Sequence, residues 1–204
     1  MTYKSIATIL HEPTQDKAAF ECAIAFARKA GAHLHVLCVG VDDTDPGFYY
    51  AGAQALVVQQ SFEFSQGVAN KLEASARERL ANEDIAWDVQ NVTTLPGGLD
   101  IFVSDTMRFF DLIVLPTPYQ EASDRADTLI FEASVLGANR PVLMVPPAWS
   151  RRPGRPRSPA LTHRCIATKG LIGVDDWRRI LRGSVRGPIS LFLQGHSHRS
   201  AIKS

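Results

Sequence analysis

Side chains able to do chemistry gather in four places along the 204-residue sequence. The first is the stretch after the apolar run Leu112, Ile113, Val114, Leu115. It reads Pro116, Thr117, Pro118, Tyr119 and continues through Glu121 and Asp124 to Asp127 and Thr128. In open α/β sheets ligands sit where the chain leaves the carboxyl ends of the strands, so hydroxyls and carboxylates just past an apolar run are the place to look for function. The second is the pair His33 and His35, which a strand would put on one face. Zinc needs three or four ligands, and no third has a recognisable spacing, so no metal is expected there. The third is Asp42, Asp43 and Asp45, which lack the Asp-x-Asp-x-Asp-Gly order of a calcium loop and read as a solvated turn. The fourth is His163, Cys165, His196 and His198, of zinc-binding type but without finger spacing.

Three cysteines, Cys22, Cys38 and Cys165, fall outside any CxxC pattern and imply neither a disulfide framework nor a metal. Cys22 and Cys38 read as small buried hydrophobes. The sequence has no GxSxG elbow, no GxxxxGK[ST] loop and no HExxH helix, so no catalytic residue is assigned and no enzyme is expected. Phosphate-binding hydrolases and nucleotidyl-transfer enzymes share related sheets, which fold alone does not separate.

The elements that must position these residues follow from periodicity. Residues 4–10 form a short apolar strand. Residues 14–31 form a helix, with Thr14 as N-cap, Gly31 as stop, and Phe20, Ile24 and Ala27 on one face. Residues 33–39 are a second strand. A long helix over 54–80 carries Val57, Phe64, Val68, Leu72 and Ala76 on one stripe, read as core packing against a sheet. Residues 85–92 are a third strand, and Pro96 opens a helix whose Leu99, Phe102, Val103 and Thr106 share a face. Residues 111–115, a helix over 124–136 stopped by Gly137, and residues 142–145 complete the series. The order βαβαβαβαβ over about 147 residues specifies one α/β domain with a parallel sheet.

Charge divides the chain at the end of that series. Of 22 Lys and Arg and 21 Asp and Glu, residues 1–150 hold 10 and 19, which leaves 12 and 2 for residues 151–204. An acidic body is thus joined to a basic, Pro- and Arg-rich tail. The opening MTYKSIATILHEPTQ lacks the pattern of a secretory leader, and no apolar run approaches the ~18 residues of a membrane span. The expectation is a soluble cytoplasmic protein.

Residues 1–147 resemble the universal stress protein (UspA-like) family. The opening strand and helix, the long second helix, the phrase DLIVLP, the next helix and the closing RPVLMVPP stand in that family's order. The resemblance implies an open five-stranded parallel sheet with helices on both faces, of the adenine nucleotide alpha hydrolase-like, Rossmann-like kind. It also implies a role in stress response and a homodimer through the last strand, Val142, Leu143, Met144 and Val145. Members that bind ATP carry Gly, two residues, Gly, nine residues, Gly, then Ser or Thr after the fourth strand. Here those positions hold Pro116, Tyr119, Leu129 and Ile130. Pro116 has no amide hydrogen to offer a phosphate, and Tyr119 adds bulk where glycine leaves room. A one-residue shift brings Thr128 toward the hydroxyl position and restores no glycine. The acid that such members carry after the first strand is replaced by His11. The expectation is the branch without ATP and without any other cofactor. His11, Val39, Pro116, Thr117, Tyr119 and Thr128 are candidates to line the cleft, and none is assigned as a nucleotide ligand.

The tail, residues 148–204, is expected to be irregular. It holds one amphipathic stretch, VDDWRRILRG, and one apolar stretch, ISLFL. It begins where tandem members of the family start a second domain, yet shows no second βαβ series. A degenerate second domain, or a frameshift in a GC-rich gene, would produce such composition. Its charge alternatively fits nucleic-acid binding. The function expected from the whole is a non-catalytic stress-response protein acting through dimerisation and an unidentified protein partner, with no membrane. The alternatives are a nucleotide sensor or weak ATPase, and nucleic-acid binding through the tail.

Overall fold

The computed structural model describes residues 3–43, 51–118 and 124–146, together with the two-residue strand at 167–168. Side chains at 51–55 and 167–168 lie outside the description, as do Asp45, Tyr119, Glu121, Cys165 and the tail histidines.

Short, largely continuous apolar runs give five parallel strands: β1 Ser5–Leu10, β2 His33–Val41, β3 Trp87–Thr94, β4 Leu112–Pro116 and β5 Val142–Val145. Helices of 3.6 period separate them: α1 Pro13–Ala30, α2 Ala51–Leu80, α3 Pro96–Met107 and α4 Arg125–Glu132, the last prolonged by a π turn, Ala133–Gly137. A sixth strand, β6 Ala167–Thr168, comes from the tail and pairs antiparallel with β5, so the tail is not wholly irregular and the sheet is one strand wider than expected. The order is β3-β2-β1-β4-β5-β6.

Alternate residues of each strand feed two cores. Ile6, Leu34, Val36, Cys38, Leu112 and Val114 pack with α1 and α2, whereas Ala7, Ile9, Leu37, Val39, Ile113 and Leu115 pack with α3 and α4. Cys38 is buried as expected, and burial pushes its thiol up to about 12, which leaves it inert at neutral pH. Cys22 is only half-buried at the margin of the first core.

Helix boundaries show where local rules prevailed. Gly31 takes φ 61° and stops α1 by donating its N–H to the Ala27 and Arg28 carbonyls. The N-cap is Glu12, not Thr14: the Glu12 carboxylate accepts from the N–H groups of Thr14 and Gln15, each at 2.8 Å, and Pro13 opens the helix. At the end of α4 the left-handed residue is Asn139, φ 53°, rather than Gly137. Gly137 has another use, since a Cβ there would lie 1.9 Å from Ser104 Oγ of α3. The π turn has a local cause. Ser134 Oγ donates to the Ile130 carbonyl at 2.7 Å, and the Ala138 N–H reaches five residues back to Ala133 at 2.8 Å.

The stripe expected on α2 is rotated. Ser65, Ala69, Leu72, Ala76 and Leu80 are buried, while Phe64 is 75% exposed and Val57 is only half-buried. Asp42 is likewise no solvated residue: it is buried and receives the Ser61 hydroxyl.

Candidate functional site

The strand order reverses between β1 and β4, so the chain leaves their carboxyl ends in opposite directions and opens a cleft there. His11, the first residue after β1, and Pro116 and Thr117 at the end of β4 line it, with Asp16 from α1 and Asp127 from α4.

Each acid is placed by the start of a helix. Asp16 sits in the first turn of α1, where its Oδ2 accepts the backbone N–H of His11 at 2.5 Å and of Glu12 at 2.7 Å, pinning the turn between strand and helix. It is 2% exposed. Burial pushes its carboxyl up to about 7, aided by the charge of Asp127 and opposed by the two N–H donors and by His11. Asp124 and Asp127 form a reciprocal cap on α4. Asp124 Oδ1 accepts the Asp127 N–H at 2.9 Å, and Asp127 Oδ2 accepts the Asp124 N–H at 3.0 Å. Burial raises Asp127 above the usual carboxylate range. It pushes the same way on Asp124, but the Asp127 N–H and the His11 ring outweigh it and hold Asp124 low.

His11 bridges the two helix starts. Its Nε2 lies 2.9 Å from Asp124 Oδ2, and its Nδ1 lies 3.5 Å from the Val39 carbonyl. Burial opposes a charged ring, yet the Asp124 hydrogen bond and the charges of Asp124 and Asp16 prevail, so His11 titrates above its ordinary value. Two carboxyls, Asp16 and Asp127, and the His11 imidazole thus line a cavity of about 10 Å³. That is room for about one water molecule. Thr117, whose buried Oγ1 has no hydrogen-bond partner among the described residues, lines the same cavity.

Among the described residues, no group of three or more His, Cys, Asp or Glu is placed to hold a metal ion. His33 and His35 both turn to one carboxylate: Asp88 lies 3.4 Å from His33 Nε2 and 2.7 Å from His35 Nδ1. No described helix is long and apolar enough to cross a membrane.

This arrangement of sheet and helices is found in solved structures. A universal stress protein UspA from Lactobacillus plantarum superposes with a TM-score of 0.54 at 20% identity, over 71% of this chain and 99% of that one. The chain has the universal stress protein fold. A universal stress protein family member from Burkholderia pseudomallei gives 0.45 at 18% identity, over 71% and 97% of the two chains. One from Arabidopsis thaliana, solved with AMP bound, gives 0.46 at 13% identity, over 70% and 91%. No family model and no curated protein matches the sequence.

Within the universal stress protein fold the sequence-derived candidates separate. His11, Pro116 and Thr117 line the cleft, and Val39 contributes its carbonyl to His11. Thr128, half-buried on α4, does not line it, and Tyr119 lies outside the described residues. Asp16 was not legible as a site residue. An acid in the first turn of a helix ordinarily faces solvent and favours the dipole, and nothing in HEPTQD marks this one as buried. The cap is readable in retrospect as Asp124 with an acid three residues on.

Proposed function

We propose that this protein is a non-catalytic stress-response protein of the universal stress protein type, acting in the cytoplasm through homodimerisation and a protein partner, without a bound nucleotide. The observation that carries the reading is the start of α4. A helix N-terminus binds phosphate when its N–H groups are free and its surroundings are not anionic. Here the Asp124 and Asp127 carboxylates cap the helix themselves, and Asp16 adds a third acid to the cleft. Two of the positions that glycine and hydroxyl would occupy, Leu129 and Ile130, lie inside α4, where their N–H groups belong to the helix ladder. Calorimetric titration of the full chain with MgATP tests the reading. The expected result is no saturable heat up to about 100 μM nucleotide, near −5.5 kcal/mol. A tighter dissociation constant overturns it in favour of a nucleotide sensor or weak ATPase.

A further inference from the structure

A second concavity lies on the face of the sheet that carries α3, away from the His11 cleft, with which it shares no lining residue. Its volume is about 670 Å³, within the ~300–1,000 Å³ usual for small-molecule sites. Its floor includes His35 of β2 and Gln90 and Thr94 of β3, and its wall includes Ile101 of α3 with Phe109 and Phe110 from the turn after that helix. Ile101 is 63% exposed and Phe109 77%, so the wall presents large apolar side chains to solvent.

Of the polar groups on its lining, which include Gln90, Thr94, Asp105 and Thr106, His35 is the incomplete one. His35 is 6% exposed, and its Nδ1 lies 2.7 Å from Asp88 Oδ2. A carboxylate only accepts, so Nδ1 carries the hydrogen and Nε2 of the neutral ring is a bare acceptor. That Nε2 is shut off from solvent and has no hydrogen-bond partner among the described residues. The large majority of buried polar side-chain atoms in folded proteins are paired. The Phe110 ring stacks on the imidazole with centroids 4.8 Å apart and planes at 18°.

We propose that this groove binds a small, uncharged, flat amphipathic molecule that carries a hydroxyl or N–H donor. The apolar body lies against Ile101 and Phe109, and the donor ends on His35 Nε2 as the half-buried Phe110 ring turns aside. The apolar wall supplies affinity through buried area. The buried acceptor supplies selectivity, because a ligand without a donor leaves it unpaired.

The proposal is tested on the full chain, uniformly ¹⁵N-labelled, titrated with 1-naphthol and with its methyl ether, 1-methoxynaphthalene. 1-Naphthol is expected to bind saturably below about 1 mM, shifting the His35 ring nitrogens and the amides of Thr94 and Ile101. The ether is expected to bind about tenfold more weakly. His35→Phe, which keeps a ring under Phe110 and removes the acceptor, is expected to abolish that difference. Ile101→Glu, at an exposed position and therefore independent of folding, is expected to weaken both probes at least tenfold. Equal affinity for the two probes, shifts centred elsewhere, no saturable binding, or a discrimination that survives His35→Phe overturns the proposal.

Discussion

At the scale of single residues, Asp16 controls how the fold responds to pH. In the unfolded chain it ionises near its ordinary value of 3.8, and in the fold only near about 7. Between those values the folded state holds a proton that the unfolded state has released, so raising the pH draws the equilibrium toward unfolding. The stability linked to Asp16 is complete below about pH 4 and gone above about pH 7, a loss on the order of 4 kcal/mol. His11, also raised, loses its contribution in the same direction as it deprotonates. Asp16→Asn keeps an oxygen for the His11 and Glu12 N–H groups and removes the titration. Urea unfolding at a series of pH values is expected to show a flatter profile between pH 4 and 7 for this variant, and greater stability than the parent at pH 8. A variant less stable than the parent at pH 8 would show that the ionised carboxylate is needed by the turn.

At the scale of elements, close approaches set where helices meet the sheet. A Cβ on Gly40, near the end of β2, would fall 2.1 Å from the Ser65 carbonyl oxygen of α2, and backbone cannot step aside as a side chain does. Gly40→Ala is expected to cost about 2–3 kcal/mol through overpacking. Differential scanning calorimetry should record a fall of roughly 5–10 °C in Tm. The same contact anchors α2, with Ser65 Oγ donating to the Val41 carbonyl at 3.1 Å. Farther along, Arg79 grips the Glu21 carboxylate of α1 with two nitrogens, at 2.6 and 2.7 Å, and reaches Glu83 at 2.7 Å. Phe62 and Phe64 lie between Ser61, which bonds Asp42, and the buried Ser65, so they face away from the sheet and are exposed, although a periodic stripe read along the whole helix assigns Phe64 to the core.

At the scale of the whole molecule, the edge of the sheet links the tail to assembly. An unpaired apolar strand is a template for another chain, and β5 ends the parallel series. Here Val142 and Leu143 are paired with Thr168 and Ala167. The homodimer proposed through Val142, Leu143, Met144 and Val145 competes with β6 for that edge. Replacing both Ala167 and Thr168 by proline in the full chain removes two backbone donors from β6. Sedimentation velocity is expected to show a larger dimer fraction for this variant than for the parent at equal concentration. An unchanged fraction would mean that β6 does not guard the edge.

The sequence by itself determined the element order, the parallel sheet and the two-sided core, because these rest on local period and on punctuation by Gly31, Pro96 and the prolines after Val145. It also carried the resemblance whose fold the solved structures share. Only the tertiary structure decided which carboxylates face one another. Asp16 and Asp124 stand far apart in sequence and meet at His11 because β1 and β4 lie side by side. The turn of α2 toward the sheet, the burial of Asp42 and the pairing of β6 with β5 belong to the same class. Each depends on distance in space, which residue spacing along a chain does not encode.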